Sequence, residues 1–120
     1  MTLLHEPFGR DIATLSALER EGTIQRFEVA VELAWKTLKD YLEYEGQSLQ
    51  PVTPRNVIKE AFSAGLLTDG QVWIDMLDHR NLLAHTYDAG HIDRAVEAIR
   101  DRYLAAFDAL HAWFAARASA

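Results

Sequence analysis

Four side chains that can bind phosphate, transfer a proton or accept a modification fall within eight residues of the sequence. The stretch DHRNLLAHTYD, residues 78–88, contains Arg80, Asn81, His85 and Tyr87. Histidine exchanges a proton near neutral pH, and well-placed proton transfer accelerates a reaction by roughly 10² to 10⁴. An arginine fork matches the oxygens of a phosphodiester and stabilises the charge that develops on them. These residue types suit RNA cleavage without a metal.

In such a reaction a base removes the proton of the ribose 2′-hydroxyl, and the oxygen attacks the neighbouring phosphate. The product ends in a 2′,3′-cyclic phosphate, which restricts the substrate to RNA.

A structural interpretation competes with the chemical one at each position. Arg80 fits an ion pair with a carboxylate such as Glu28, or a packed stem with its guanidinium in water. His85 fits the carboxyl end of a helix, where the dipole favours a cation. Asn81 fits a hydrogen bond to the nearby backbone, and Tyr87 fits a half-buried ring with a solvated hydroxyl. Each is the simpler interpretation taken alone, but the combination within eight residues favours a functional site.

Helical periodicity determines how Arg80 and His85 are related. Arg80 continues the apolar stripe of Trp73, Met76 and Leu77, so its guanidinium points at the core or at an interface. His85 follows five residues later, about 140° around an ideal helix. The two side chains converge where the helix ends or bends near His85, or where a second subunit supplies the opposing copy.

The N-terminal half of the chain has the apolar periodicity of helices. The spacing predicts a first helix over residues 7–21 that ends at Gly22. Thr23 is predicted to cap a longer second helix that continues to Gly46. Residues 46–53 have no period and are predicted to form a loop.

Three further helices are predicted in the C-terminal half. Thr53 and Pro54 open a short helix that ends at Gly65, and the capping-box spacing of Thr68 and Gln71 starts another near Asp69. The last helix has one apolar stripe over seven turns, formed by Ile92, Val96, Ile99, Tyr103, Phe107, Leu110 and Phe114.

No β-type alternation occurs in the sequence, so these elements predict an all-α fold. We expect a single domain over residues 1–120, an antiparallel up-and-down bundle of four to five helices. Trp113 and Ala106 widen the last apolar stripe, and the three Trp and five Phe supply more apolar surface than one core consumes. We therefore expect the bundle to dimerise.

Composition excludes several classes of function. The chain contains no cysteine, which removes disulfides, thiolate metal sites and cysteine nucleophiles. The formal net charge of −6 argues against charge-driven coating of nucleic acid. No stretch approaches the roughly 18 apolar residues that span a bilayer, and no secretory leader pattern begins the chain, so the prediction is a cytoplasmic protein without membrane contact.

A metal site is not favoured, although His79, His85 and His91 recur every six residues. Six-residue steps rotate successive side chains by about 240° on a helix, so the three imidazoles do not share one face. Phosphate-binding glycine loops, serine nucleophile elbows and dinucleotide fingerprints are also absent from the sequence. The sequence predicts no metal and no cofactor.

The motif resembles that of a known superfamily. RNLLAH resembles the Arg-Asn-x-x-x-His signature of HEPN domains, and its continuation HTY resembles the Arg-x4-His-x-Tyr form of HepT-like toxins. Three blocks look like the nucleotidyltransferase substrate-binding protein family, a HEPN branch, over about residues 8–110. They are QRFEVAVELAWKTLKDYLE (25–43), TPRNVIKEAFSAGLL (53–67) and VWIDMLDHRNLLAHTYD (72–88).

The resemblance implies a helical-bundle dimer with two copies of the motif across one cleft, and a separately encoded minimal nucleotidyltransferase as partner. It implies that Arg80 binds phosphate, His85 acts as general base or acid, and Asn81 orients them. The resemblance also implies that the partner adds AMP to Tyr87 and that this modification silences an RNase toxin. An added nucleotide beside His85 would repel RNA phosphate by charge and bulk. A heterotetramer with the partner fits as well as a homodimer.

Three functions from different classes remain open. The first is a toxin-like, metal-independent endoribonuclease controlled by its partner, and the sequence favours it by a small margin. The second is a non-catalytic subunit that binds nucleotide or substrate for the nucleotidyltransferase. The third is a bare interaction bundle, and an Arg80 buried against an internal carboxylate away from any cleft would indicate it.

Overall fold

The computed structural model describes residues 16–85 and 88–118, and all regular structure in these residues is helical. Helices α1 to α5 and one π-helical turn follow each other along the chain: α1 (Ala17–Tyr44), α2 (Pro54–Ser63), α3 (Gly70–His85), α4 (Ala89–Ala98), the π turn (Ile99–Tyr103) and α5 (Leu104–Ala118). Helix α1 packs against α2 and α4, and α3 packs against α2 and the π turn. The predicted all-α bundle is confirmed. None of the described helices is long and apolar enough to cross a bilayer.

The prediction that Gly22 ends one helix and Thr23 caps the next is wrong. Helix α1 continues through both residues and is capped instead by Ser16, whose hydroxyl accepts from the Glu19 N–H at 3.1 Å. Thr23 is buried, and its hydroxyl donates to the Glu19 carbonyl at 2.9 Å. A glycine inside a helix costs about 1 kcal/mol relative to alanine. The fully buried Phe27 illustrates the core packing that outweighs this cost. Residues 7–15 of the predicted first helix lie outside the described residues.

Replacing Gly22 by alanine is therefore expected to stabilise the protein. Apart from the neighbouring residues and the backbone of its own helix, no described atom lies within 4 Å of a Cβ added at Gly22, so the methyl group meets no steric resistance there. Alanine removes backbone freedom from the unfolded chain, and the free energy of unfolding should rise by about 0.5–1 kcal/mol. Urea denaturation measures the change. A lower denaturation midpoint for Gly22→Ala would contradict an uninterrupted α1.

The predicted boundaries of the loop and of α2 are confirmed. Gly46 and Gly65 adopt φ angles of 93° and 85°, the left-handed conformation that glycine adopts without steric cost. Thr53 accepts from the Asn56 N–H at 3.2 Å, and Pro54 begins α2. The start of α3 is correct to within one residue, but its cap differs from the prediction.

Asp69 occupies the capping position that the spacing gave to Thr68. Its carboxylate accepts from the Val72 N–H at 3.2 Å. The Gln71 amide donates to Asp75 at 2.9 Å and so turns along the helix. A carboxylate also interacts favourably with the positive end of the helix dipole.

The last predicted helix contains a π turn that the apolar stripe did not indicate. The Leu104 N–H reaches back five residues to the Ile99 carbonyl. Two successive four-residue steps, from Ile99 to Tyr103 and then to Phe107, drift by about 80° on an ideal α-helix. The wider turn reduces this drift, and all three side chains are buried.

Candidate functional site

Arg80 lies on the face of α3 that meets α1, and its guanidinium pairs with a carboxylate there. Nη1 donates to Glu32 Oε1 at 3.2 Å, and Nη2 lies 3.4 Å from Asn81 Oδ1. The sequence suggests Glu28, one helical turn earlier on α1, as a carboxylate partner. In the structure Arg80 pairs with Glu32 instead.

Two further side chains of α1 contact the Glu32 carboxylate. Trp35 Nε1 donates to Oε2 at 2.9 Å, and Lys36 Nζ lies 3.5 Å from the same oxygen. Sequence reasoning did not assign Glu32 or Trp35 to the site. The signal available was the Glu-x-x-Trp-Lys spacing, which places the three side chains on one side of a helix.

The pair is accessible to solvent from one side. The Arg80 side chain is 21% exposed and that of Glu32 is 45% exposed. The burial of Arg80 against an internal carboxylate, which would indicate a bare interaction bundle, is therefore not observed. A guanidinium that is partly packed and partly open can accept an anionic ligand.

Helix α3 is described as far as His85, five residues after Arg80, and Asp88 has the extended backbone of the cap of α4. The helix therefore does not continue through Asp88, which is consistent with one of the two conditions under which the two side chains can converge. The His85 side chain and all of Tyr87 lie outside the described residues. The assignment of Arg80, Asn81, His85 and Tyr87 as site residues therefore stays a prediction.

A second polar contact, which sequence reasoning also missed, joins α3 to the π turn. His79 Nδ1 and the Tyr103 hydroxyl share a hydrogen bond of 2.6 Å. One helical turn earlier, Asp75 accepts from Arg102 at 2.6 Å, and this bond lowers the pKa of the Asp75 carboxyl. Burial lowers the pKa of His79 and raises the pKa of Tyr103 to about 12. Both rings therefore favour their neutral forms.

The lowered pKa of His79 predicts a loss of stability in mild acid. Because the folded-state pKa lies below the ordinary value of 6.5, the unfolded chain binds more protons below about pH 6.5. As the pH falls below about 6.5, the free energy of unfolding should decline until the pH reaches the folded-state pKa of His79. Above about pH 6.5 the contribution of His79 should be constant. Urea unfolding between about pH 7.5 and pH 5.5 measures the dependence. The slope should be smaller in His79→Gln, and equal slopes would contradict the prediction.

The histidines at six-residue spacing make different local contacts where their side chains are described. His79 bonds Tyr103, whereas His91 Nδ1 lies 2.5 Å from Asp88, the cap of α4. Within residues 16–85 and 88–118, no group of three or more His, Asp or Glu side chains is arranged to hold a metal ion.

Fold and site together define an all-helical bundle with an arginine-based polar site at one helix end. The model of the family described as "Nucleotidyltransferase substrate binding protein like" matches residues 4–115. The chain belongs to this family, which confirms the resemblance to the nucleotidyltransferase substrate-binding family seen in the sequence.

Two relatives illustrate the similarity. The chain is 33% identical over 70 residues to "Probable ribonuclease HepT" of Haemophilus influenzae, a match that covers 56% of this chain. The match covers 48% of the relative, about half of its length. A crystal structure from Thermus thermophilus superimposes with a TM-score of 0.75 at 32% identity, covering 92% of this chain and 94% of that one.

Proposed function

We propose that this protein is a metal-independent endoribonuclease that uses Arg80, Asn81 and His85. The observation that carries the proposal is the open side of the Arg80 guanidinium, five residues before His85 on α3. The name of the Haemophilus influenzae relative, a probable ribonuclease, supports the same chemistry.

The proposed reaction needs only groups of this chain and the substrate. The His85 imidazole takes the proton of a ribose 2′-hydroxyl, and the 2′ oxygen attacks the adjacent phosphorus. The bond from phosphorus to the 5′ oxygen breaks, and the leaving oxygen takes up the proton that the imidazolium returns, directly or through water. Arg80 donates to the non-bridging oxygens as their negative charge develops. Asn81 lies beside the guanidinium, where its amide can orient the phosphate.

A dimer would bring two copies of this site together, and exposed apolar side chains near the Arg80–Glu32 pair support that arrangement. Val29 and Leu33 are exposed on α1 one turn apart. Leu33 follows Glu32 directly and is 58% exposed. We propose that this apolar strip, Val29 and Leu33, pairs with its copy in a second protomer.

Replacing Leu33 by glutamate is expected to shift the protein from dimer to monomer and to lower its RNA cleavage. The substitution places a charge in an apolar interface, where it loses hydration without a partner. Light scattering coupled to size-exclusion chromatography measures the mass. Val52→Glu is the matched control, because Val52 is an exposed apolar side chain of the loop before α2. A dimer that survives Leu33→Glu would contradict the proposed interface.

We further propose that a minimal nucleotidyltransferase controls the activity by adding AMP to Tyr87. The family's description supports such a partner. A phosphodiester-linked nucleotide adds negative charge and bulk two residues from His85, and both effects repel RNA phosphate. Co-expression with a minimal nucleotidyltransferase encoded beside this protein should increase the mass of the peptide that contains Tyr87 by the mass of one or more added AMP groups. Modified protein should cut RNA more slowly than unmodified protein.

The ribonuclease proposal is tested with purified protein in EDTA. Unmodified protein should cut RNA, leave 2′,3′-cyclic ends and spare DNA of the same sequence. RNA carrying 2′-O-methyl groups should remain intact, because it lacks the attacking hydroxyl. Cleavage that requires a divalent metal, or that leaves 2′-O-methyl RNA cut, would overturn the mechanism.

A second candidate is a non-catalytic subunit that binds substrate for the nucleotidyltransferase. The observation that favours it is the family match over residues 4–115, which is longer than the 70 residues shared with the ribonuclease relative. Intact RNA together with tight, stoichiometric binding to the nucleotidyltransferase would support this function and exclude the first.

A further inference from the structure

Glu32 on α1 contacts the guanidinium that the proposed cleavage uses, although it lies far from the Arg-Asn-x-x-x-His stretch in sequence. We propose that Glu32 is a positioning residue that sets the orientation of Arg80 before RNA binds. This inference rests on the ribonuclease proposal and adds to it a residue of another helix. The contact is the hydrogen bond from Arg80 Nη1 to Glu32 Oε1 at 3.2 Å.

The carboxylate of Glu32 is itself held in place. Oε2 accepts from Trp35 Nε1 at 2.9 Å, and Lys36 Nζ lies 3.5 Å from it. The Trp35 ring packs against the hydrophobic core, so the indole N–H is a donor of limited motion. The other oxygen, Oε1, is thereby directed at α3. A long arginine side chain without such a contact samples many rotamers.

The contact leaves donors on Arg80 for a substrate. A guanidinium has five N–H groups, and the Glu32 contact engages one of its nitrogens, Nη1. The second nitrogen, Nη2, makes only a long contact of 3.4 Å to Asn81. With the side chain 21% exposed, a phosphate can approach the guanidinium from the solvent side.

The local charge also suits a phosphate. Arg80 and Lys36 carry two positive charges around the single negative charge of Glu32, within a chain whose formal net charge is −6. The carboxylate therefore orients the guanidinium without cancelling the positive charge of the cluster. An ion pair this exposed contributes little to folding stability. Its main physical consequence is the direction in which the guanidinium points.

The test compares Glu32→Gln with the wild-type protein. Glutamine keeps the side-chain length and an acceptor for Trp35 but removes the charge that holds Arg80. A small misplacement of a catalytic group costs roughly 10- to 100-fold in rate, so cleavage should fall by that factor. The melting temperature should stay close to the wild-type value. In ¹⁵N spectra of arginine side chains, the Arg80 signals should show faster rotation of the guanidinium in the variant.

A double-mutant cycle separates positioning from an independent role. Added to Arg80→Ala, which removes the guanidinium, the Glu32→Gln change should alter the remaining cleavage by no more than about twofold, because both changes remove the same interaction. Glu43→Gln is the matched control. Glu43 pairs with Lys39 at 2.8 Å on the same helix, about 16 Å from Glu32 along its axis. This control should cut RNA at the wild-type rate.

The outcomes distinguish this inference from the ribonuclease proposal. Wild-type protein that cuts RNA while Glu32→Gln cuts equally well would overturn the positioning role alone. Additive losses in the double variant would overturn it as well, since Glu32 would then act independently of Arg80. Wild-type protein that cuts no RNA would overturn the ribonuclease proposal and the role of Glu32 within it, even if the Arg80 signals respond to Glu32→Gln.

Discussion

Alanine in place of His85 is expected to lower the rate of RNA cleavage by roughly 10² to 10⁴, the contribution of a well-placed general base or acid. The imidazole is the side chain of this motif that exchanges a proton near neutral pH. His85 is the last described residue of α3, and the buried residues of this helix, such as Trp73 and Met76, lie before it. Initial rates on a labelled RNA oligonucleotide in EDTA measure the effect.

His111→Ala is the matched control for this prediction. His111 is exposed on α5, and its replacement should leave both cleavage and the melting temperature unchanged. Circular dichroism should show the same helix content for His85→Ala as for the wild type. Cleavage that persists in His85→Ala would remove the imidazole from the proposed mechanism.

Alanine in place of Phe27 is expected to lower the free energy of unfolding by about 3–5 kcal/mol. The Phe27 ring is fully buried where α1 meets the C-terminal helices. It stacks on Tyr103 with 5.5 Å between ring centroids and meets the edge of Phe107 at 6.4 Å. Truncation removes these contacts and leaves a cavity that the surrounding rings fill only in part. Chemical denaturation measures the loss.

Phe62→Ala provides the comparison for this effect. Phe62 is 50% exposed on α2, so its loss should cost about 1 kcal/mol or less. A Phe27→Ala variant as stable as Phe62→Ala would show that the aromatic cluster does not hold α1 to the C-terminal helices. The two substitutions remove the same atoms and therefore differ mainly in burial.

Local signals in the sequence were sufficient for the fold class and for most helix boundaries. Thr53 and Pro54 open α2 and Gly65 closes it, because a side-chain cap, a fixed φ angle and a left-handed φ angle act within a few residues. The family was likewise readable from contiguous blocks of sequence, and the match over residues 4–115 confirms it. The Arg-Asn-x-x-x-His stretch supplied the candidate site in the same way.

Local signals failed where packing between distant segments decides the outcome. Gly22 is a weak helix former, yet α1 continues through it because core residues such as Phe27 bury their side chains against the rest of the bundle. The π turn likewise contains Tyr103, whose ring stacks on Phe27 of α1 and whose hydroxyl bonds His79 of α3. Neither result follows from propensity or period alone.

The sequence by itself determined which residue types are available for chemistry. It also determined that the chain is helical and where several helices begin and end, because helix formation and capping depend on neighbours within one or two turns. Tertiary structure alone decided that Arg80 meets Glu32 rather than Glu28, across 48 residues of chain. Residues so far apart are brought together by the packing of α1 against α3. Periodicity identifies the face of each helix that is buried, whereas the relative shift of the two helices selects which carboxylate lies opposite the guanidinium.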